Sequence, residues 1–426
     1  MTPKTQIQKK AAALSATLPP LTPIQKSWAE KHCFVHLGQW SKTAEITCLE
    51  CAHTWQSHAE ASEVLDGVTC PHCGAKLTVG FSRKQKHRDF KYFCIVTACG
   101  GLQVIRFFYG IAQHRLGKKA EYSFYEVVQR WIAPDGTTAV LALLRPPFCQ
   151  SDMWCFGGRF EIRPDKELYD ILPHFVYPRQ KVIPEIRKRG FKGGHYGLTP
   201  FELFHAILTD NRAETLLKTR QTALLFHFVR NGFTGIDNYW PSIRICNRNH
   251  YTVPDGSIWC DYIDLLVLFK KDIHSPKYVC PDNLIKRHNK LEDRRKKEED
   301  PEKYEWQKEQ RRRDEKRFRE LKGRFFGLTF SDDIINICVL ESIGAYRDEG
   351  KALHHCVGKS SYYLNADSLI LSARVNGKRA ETIELSLKTL KIIQCRGACN
   401  FDSPYHTRIL RLVNKNIGRI SERLGA

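Results

Sequence analysis

Three short runs near the C-terminus alternate between apolar and polar residues over nearly their whole length. They are Leu369–Val375, Glu381–Leu387 and Lys391–Arg396. Side chains on a strand point alternately to opposite faces, so such runs predict strands with one buried face. Leu369, Leu371, Ala373, Val375, Ile383, Leu385, Leu387, Ile393 and Cys395 then share an apolar face. Ser372, Arg374, Thr382, Glu384, Ser386, Gln394 and Arg396 share the other. A slip of one residue would turn a strand inside out, so the pattern constrains register. Matching both hairpins demands loops of odd length. Asn376-Gly377 has the chemistry of a two-residue type I′ turn, but that turn would put Arg374 on the wrong face. A three- or five-residue loop with Gly377 at positive φ is expected instead. With three-residue loops at both turns, Glu384 faces Ser372 and Gln394, and Thr382 faces Arg374 and Arg396.

The segment ALHHCVGKSSYY (352–363) precedes these strands. Folded over the polar face, it would bring His354, His355 and Cys356 to Arg374, Glu384, Gln394, Arg396 and Asn400. A thiol beside imidazoles can act as nucleophile or metal ligand. Two arginines suit an anionic group such as a phosphate. The plainer alternatives are a sheet with one side in water, a cysteine serving as a small buried hydrophobe and structural histidines.

The order and spacing of ALHHCVG, Tyr363, ILSAR, TIEL and IIQCRGACN resemble the PcfJ-like family over roughly residues 330–420. The matching positions are His355, Cys356, Val357, Gly358, Tyr363, Arg374, Thr382, Glu384, Gln394, Gly397 and Asn400. The resemblance implies a setting, namely conjugative plasmids, related mobile elements and phages. It supplies no mechanism.

A second constraint lies upstream. Cys48-Leu-Glu-Cys51 and Cys70-Pro-His-Cys73 are two C-x-x-C pairs separated by 18 residues. Each pair can grip one side of a tetrahedral ion, and the spacing is that of a structural zinc ribbon. Gly74 permits the tight turn after the second pair. Four thiolates close the coordination sphere, so Zn2+ here is expected to be structural. His53, His58 and His72 lie close enough in sequence to replace a cysteine, and Trp40 and Trp55 are expected to pack on the module.

The chain has 426 residues, a formal net charge of +21 and a pI near 9.3. A field of that sign favours phosphate-rich partners, so a nucleic acid, DNA or RNA, is the expected partner. A protein of the same mobile element is the other. The sixteen cysteines are irregularly spaced beyond the two pairs, which argues against a disulfide framework. No apolar run approaches about 18 residues, so no membrane insertion is expected. Pro19, Pro20 and Pro23 follow the short apolar patch near the N-terminus, which reads as a loose tail or a short helix rather than an export signal. The expected location is the cytoplasm.

The expected organisation is an α+β multidomain chain. Residues 1–30 form a tail and leading helix, and 31–80 a zinc ribbon. Residues 81–150 are β-rich, with hairpins at Gly100-Gly101 and Pro134-Asp135-Gly136. Phe107, Phe108, Tyr109 and Trp131 there alternate with Arg106 and Arg130, a pattern that fits either a stacking platform for single strands or ordinary strand packing. Cys94 and Cys99 leave a second metal open. Residues 151–283 are mostly helical, with Thr199 capping a helix that starts at Pro200. PSIRICNRNHYTVP (241–254) is expected to add a strand. Residues 284–325 form a charged helical linker broken at Pro301. Residues 326–426 form the last α+β domain, whose three-stranded antiparallel meander follows a helix capped by Ser331 and is covered by a final amphipathic helix. Three functions fit: binding to nucleic acid, an enzyme built on the His/Cys/Glu/Arg face, or a protein-recruiting scaffold.

Overall fold

The computed structural model describes residues 2–41, 45–57, 64, 67–81, 84–146, 154–165, 167–358, 362–398 and 401–425. The backbone divides into two compact units. The first comprises residues 1–35, 49–52 and 83–296; the second comprises 36–48, 53–82 and 297–426.

In the first unit, helices Gln6–Ser15 and Pro23–Cys33 each begin with a reciprocal capping box, Thr5 with Gln8 and Thr22 with Gln25. Of the two alternatives, tail or short helix, the segment is helical, and its alanines are used for close packing: Ala11 and Ala29 are fully buried.

The cysteine pairs sit on a five-stranded sheet of β1 (Leu37–Trp40), β2 (Glu45–Cys48), β3 (Thr54–Gln56), β4 (Val68–Thr69) and β5 (Lys76–Phe81), in the order β3-β2-β1-β5-β4. Next come β6 (Lys86–Cys99), β7 (Leu102–Arg115), β8 (Lys118–Ile132), β9 (Thr138–Ala142), β10 (Glu161–Arg163) and β11 (Phe175–Val176). They form a six-stranded sheet in the order β10-β9-β8-β7-β6-β11. Gly100 and Gly101, both at positive φ, make the first hairpin. Strand β7 is buried almost without a break, the signature of a sheet covered on both faces. Ile105, Phe107 and Tyr109 face a helical block, whereas Phe93, Ile95 and Phe108 pack with Ala29 and Cys33. That block includes Pro200–Thr209, with the expected Thr199 cap closed into a capping box by Glu202, and Gly256–Leu268. The strand expected in 241–254 is absent: Ile236–Arg248 is helical, with Pro241 inside it. Pro241 lies past the first-turn amides that lack helical partners, so the helix forms despite losing one ladder bond there.

The charged segment forms two helices, Leu284–Glu299 and Pro301–Lys322, with Pro301 at the first helical position and Asp300 as its cap. Lys322, at the end of the second, is fully buried and donates to the carbonyls of Asn365 (2.7 Å) and Ala366 (3.2 Å).

The last sheet runs β12 (Thr329–Ser331), β13 (Ile335–Val339), β14 (Ser368–Val375), β15 (Lys378–Ser386) and β16 (Ile392–Gly397), in sequential antiparallel order. The expected three strands are thus the far part of a five-stranded sheet. Ser331 ends β12 instead of capping a helix. Asp332 accepts from the amides of Ile334 and Ile335 and turns the chain into β13, whose Ile335, Ile337 and Val339 are buried. The helix begins later, at Ile343, capped by Ser342.

Register also departs from expectation. Asn376 and Gly377 form the two-residue turn with both φ positive, and Val375 pairs with Lys378. A bulge at Ala380 then restores the faces: Ala373 pairs with Glu381, Ser372 with Thr382 and Ile370 with Glu384. Glu384 with Gln394 and Thr382 with Arg396 pair as expected. A second bulge at Ile393 leaves that side chain 59% exposed and puts Ile392 against the core in its place. The C-terminal segment splits into helices His406–Lys415 and Ile417–Gly425. Their Ile409, Val413 and Ile420 cover the apolar face. No helix among the described residues is long and apolar enough to cross a membrane.

Candidate functional site

The polar face of the last sheet is covered by helix Ile343–Leu353, which buries Ile343, Tyr346, Glu349, Gly350 and Leu353 along one stripe. His354 ends it in a left-handed conformation (φ 52°), so the next amide, of His355, donates back to the Gly350 carbonyl at 3.1 Å. The chain then makes a short 3₁₀ turn, Cys356–Gly358, pressed against the helix. A Cβ on Gly350 would lie 2.8 Å from the Gly358 nitrogen and 3.0 Å from the His355 carbonyl oxygen. One on Gly358 would lie 2.9 Å from both the Arg347 Cα and the Tyr346 carbonyl. Two glycines therefore set how close the His–Cys segment can sit.

That seating delivers His355 Nε2 to within 2.9 Å of the Thr382 hydroxyl. Thr382 in turn donates to Glu349 (3.1 Å), and Arg379 Nε donates to the other Glu349 oxygen (2.7 Å). A hydroxyl has one proton to give. With it committed to Glu349, Thr382 is left to accept from His355. Burial lowers the His355 pKa, opposed by the Glu349 charge.

Glu384 lies further along β15 and is almost buried. Ser368 Oγ donates to one of its oxygens (2.8 Å) and Gln394 Nε2 to the other (2.7 Å). His355, Cys356, Tyr362, Thr382, Glu384, Gln394 and Arg396 line a small cavity of about 40 Å3, with Val357 and Ile370 as its apolar wall. That is room for a few waters or the tip of a ligand. Cys356 is exposed. The Gln394 amide pulls the Tyr362 phenol down, but burial, Cys356 and Glu384 together hold it above its ordinary value.

Of the residues expected here, His355, Cys356, Glu384, Gln394 and Arg396 come together. His354 does not: it points to solvent at the helix cap. Arg374 does not line the cavity either. The Ala380 bulge pairs it with Arg379 rather than Thr382, and its Nε is buried without a hydrogen bond. Arg396 is held by Asp402 at 2.6 Å. Asn400 lies outside the described residues. Sequence reasoning missed Glu349 and Arg379; the available signal was an acid at heptad spacing behind Ser342-Ile343 on an otherwise apolar helical stripe.

A second cluster lies on the opposite face of β15. Cys395 Sγ and His406 Nδ1 both approach Glu381 Oε2, at 2.7 and 2.8 Å. It too was missed. Glu381 alternates in phase with Ile383 and Leu385, so it falls on the buried face, which the strand pattern already contained.

In the N-terminal sheet, the Cys48, Cys51, Cys70 and Cys73 sulfurs gather within 4.8 Å of one another. Cys48 and Cys73 sulfurs are 3.8 Å apart. A tetrahedron with metal–sulfur bonds of about 2.3 Å has edges of about 3.8 Å, so the four thiols fit such an ion. Gly74 at φ 71° makes the turn behind the second pair. His53 stacks between Trp55 and His72, and neither histidine joins the four-sulfur group. His58 lies outside the described residues.

The four aromatic and two basic residues singled out on β7 and β8 do not form an open platform. Phe107, Phe108, Tyr109 and Trp131 are core residues. Arg106 is buried and paired with Glu126, and Arg130 with Asp165 and Asp170. A larger groove of about 620 Å3 beside Asp261, Asp264 and Glu292 has two of these acids engaged: Glu292 with Arg295 and Lys296, Asp264 with Tyr239.

The family model described as PcfJ-like protein matches residues 258–410. That span includes the cavity and the Glu381 cluster and begins well upstream of the motif-bearing segment. No curated protein and no solved structure matches the chain.

Proposed function

We propose that this is a nucleic-acid-associated accessory protein of a mobile genetic element, working by binding, with Zn2+ holding the four-cysteine module as a structural ion. The setting comes from the likeness of residues 258–410 to PcfJ-like proteins. The observation that carries the binding is the charged helix Pro301–Lys322 in a chain of net charge +21. The side chains of Arg312, Arg313 and Arg319 on it are 80%, 68% and 71% exposed. Exposed arginines beside glutamates keep most of their freedom to pair with phosphate, since surface ion pairs are worth at most about 1 kcal/mol. Fluorescence anisotropy of labelled DNA and RNA oligonucleotides against salt tests this. The expected result is binding whose logarithm falls linearly with log salt, weakened by reversing Arg311, Arg312 and Arg313 to glutamate. No binding at low salt overturns it.

The cavity favours a second reading, an enzyme acting on a phosphate-bearing substrate. Cys356 is an accessible thiol at its rim, and the His355 imidazole lines the same cavity. Glu384 is fixed by two donors to orient a group or take its proton, and Arg396 supplies the positive charge. Turnover of a phosphoester reporter that disappears in both Cys356→Ala and Glu384→Gln, with unfolding curves unchanged, supports it. Unaltered turnover in both removes it.

A further inference from the structure

Neither reading uses Glu381, Cys395 and His406. They come from three firm elements: β15, β16 and the first residue of helix His406–Lys415. Glu381 is fully buried, Cys395 is 4% exposed, and the His406 side chain is 25% exposed. The two Glu381 oxygens have different tasks. Oε1 accepts the Ser403 amide at 2.6 Å, which aims Oε2 at both Cys395 Sγ and His406 Nδ1. Gly397 makes this possible. A Cβ there would lie 2.8 Å from the Ala380 carbonyl and 2.9 Å from that of Phe401, so only glycine lets the two backbones close around the carboxylate.

One sulfur, one imidazole nitrogen and one carboxylate oxygen thus lie within 4.8 Å of one another. Thiols are weak hydrogen-bond donors, and a carboxylate buried to satisfy a thiol and an imidazole is costly for what it holds together. The same three groups are a common donor set for a borderline divalent cation. Such a cation would displace the Cys395 proton to solvent. Burial and Glu381 otherwise hold that thiol protonated. Ser403 on Glu381 supplies the orienting contact that ligands need. Asp402 Oδ1, 3.8 Å from His406 Nδ1, marks the solvent side.

We propose that Glu381, Cys395 and His406 bind one divalent cation of the Zn2+ type, with a fourth position open toward Asp402 and solvent. Full-length protein and its His406→Gln and Glu381→Gln variants are loaded with Co2+, desalted and assayed for metal and for thiolate-to-cobalt absorption. The N-terminal cysteine cluster is common to all three and cancels in the comparison. The expected result is one Co2+ fewer per chain in each variant, and, in Cys395→Ser, loss of one thiolate's share of the absorption. His406 is partly exposed, so His406→Gln keeps its fold, which its metal-free unfolding curve checks. Equal Co2+ content in the parent protein and His406→Gln overturns the proposal.

Discussion

The closeness of Gly350 to Gly358 can be tested by adding one methyl group to each. Gly358→Ala places a Cβ 2.9 Å from backbone atoms of Arg347 and Tyr346, and a helix backbone cannot step aside as a side chain would. Overpacking of this kind costs about 1–3 kcal/mol, and about 2–4 °C in melting temperature per kcal/mol for a unit of this size. Gly350→Ala meets the same contact from the other side but gains helix propensity of about 1 kcal/mol, so its net cost should be about 0–2 kcal/mol. Once one methyl has forced the segment away, the second has less to displace, and the double variant should cost less than the two singles added. Gly418, with nothing within 4 Å of its would-be Cβ, is the control, and alanine there should stabilise by about 0.5–1 kcal/mol. Thermal unfolding of the four variants reads all of this. If Gly350→Ala stabilises as Gly418→Ala does, the His–Cys segment is not seated on the helix, and the route that brings His355 to Thr382 fails with it.

Other consequences can be measured directly. The Zn2+ proposed for the four-cysteine module predicts that Cys48→Ser or Cys73→Ser binds one ion fewer and unfolds at lower temperature, read by metal analysis and calorimetry. Burial pushes His195 from about 6.5 down to about 4. The unfolded chain therefore binds the proton more tightly, and stability should rise with pH between about 4 and 6.5, by up to about 3 kcal/mol; His195→Phe should flatten that limb in urea titrations. Alkylation followed by mass spectrometry should label Cys356 and Cys155, both exposed, well before Cys33 and Cys260, which burial pushes up to about 12. Lys322 is lowered to about 8 by burial, so stability of the second unit should climb as pH rises from about 8 to 10.4, and Lys322→Met should abolish the climb.

Alternation made the last sheet legible. Leu369, Leu371, Ala373, Ile383 and Leu385 are all in one core, because a period of two leaves a buried face little freedom. What alternation could not show was interruption. A bulge adds one residue without marking it, so Ala380 and Ile393 shifted the pairing of Arg374 and exposed an isoleucine. The start of this domain was misread because Ser331-Asp332-Asp333 carries helix-cap chemistry, and Asp332 spent it on a turn between strands. The five cavity residues were legible because they lie on regular strands or in one short motif. Glu349 and Glu381 were not, since each is an acid in an apolar register whose partners come from elsewhere in the chain.

Strand β15 has a property that follows from its two-sidedness. Thr382 and Glu384 look toward the cavity while Glu381 looks toward Cys395 and His406, and one peptide plane, with Cα atoms about 3.8 Å apart, joins Glu381 to Thr382. Such a plane is rigid. The ladders to β14 and β16 hold that plane from both edges, so the cavity and the Glu381 cluster rest on one shared piece of backbone.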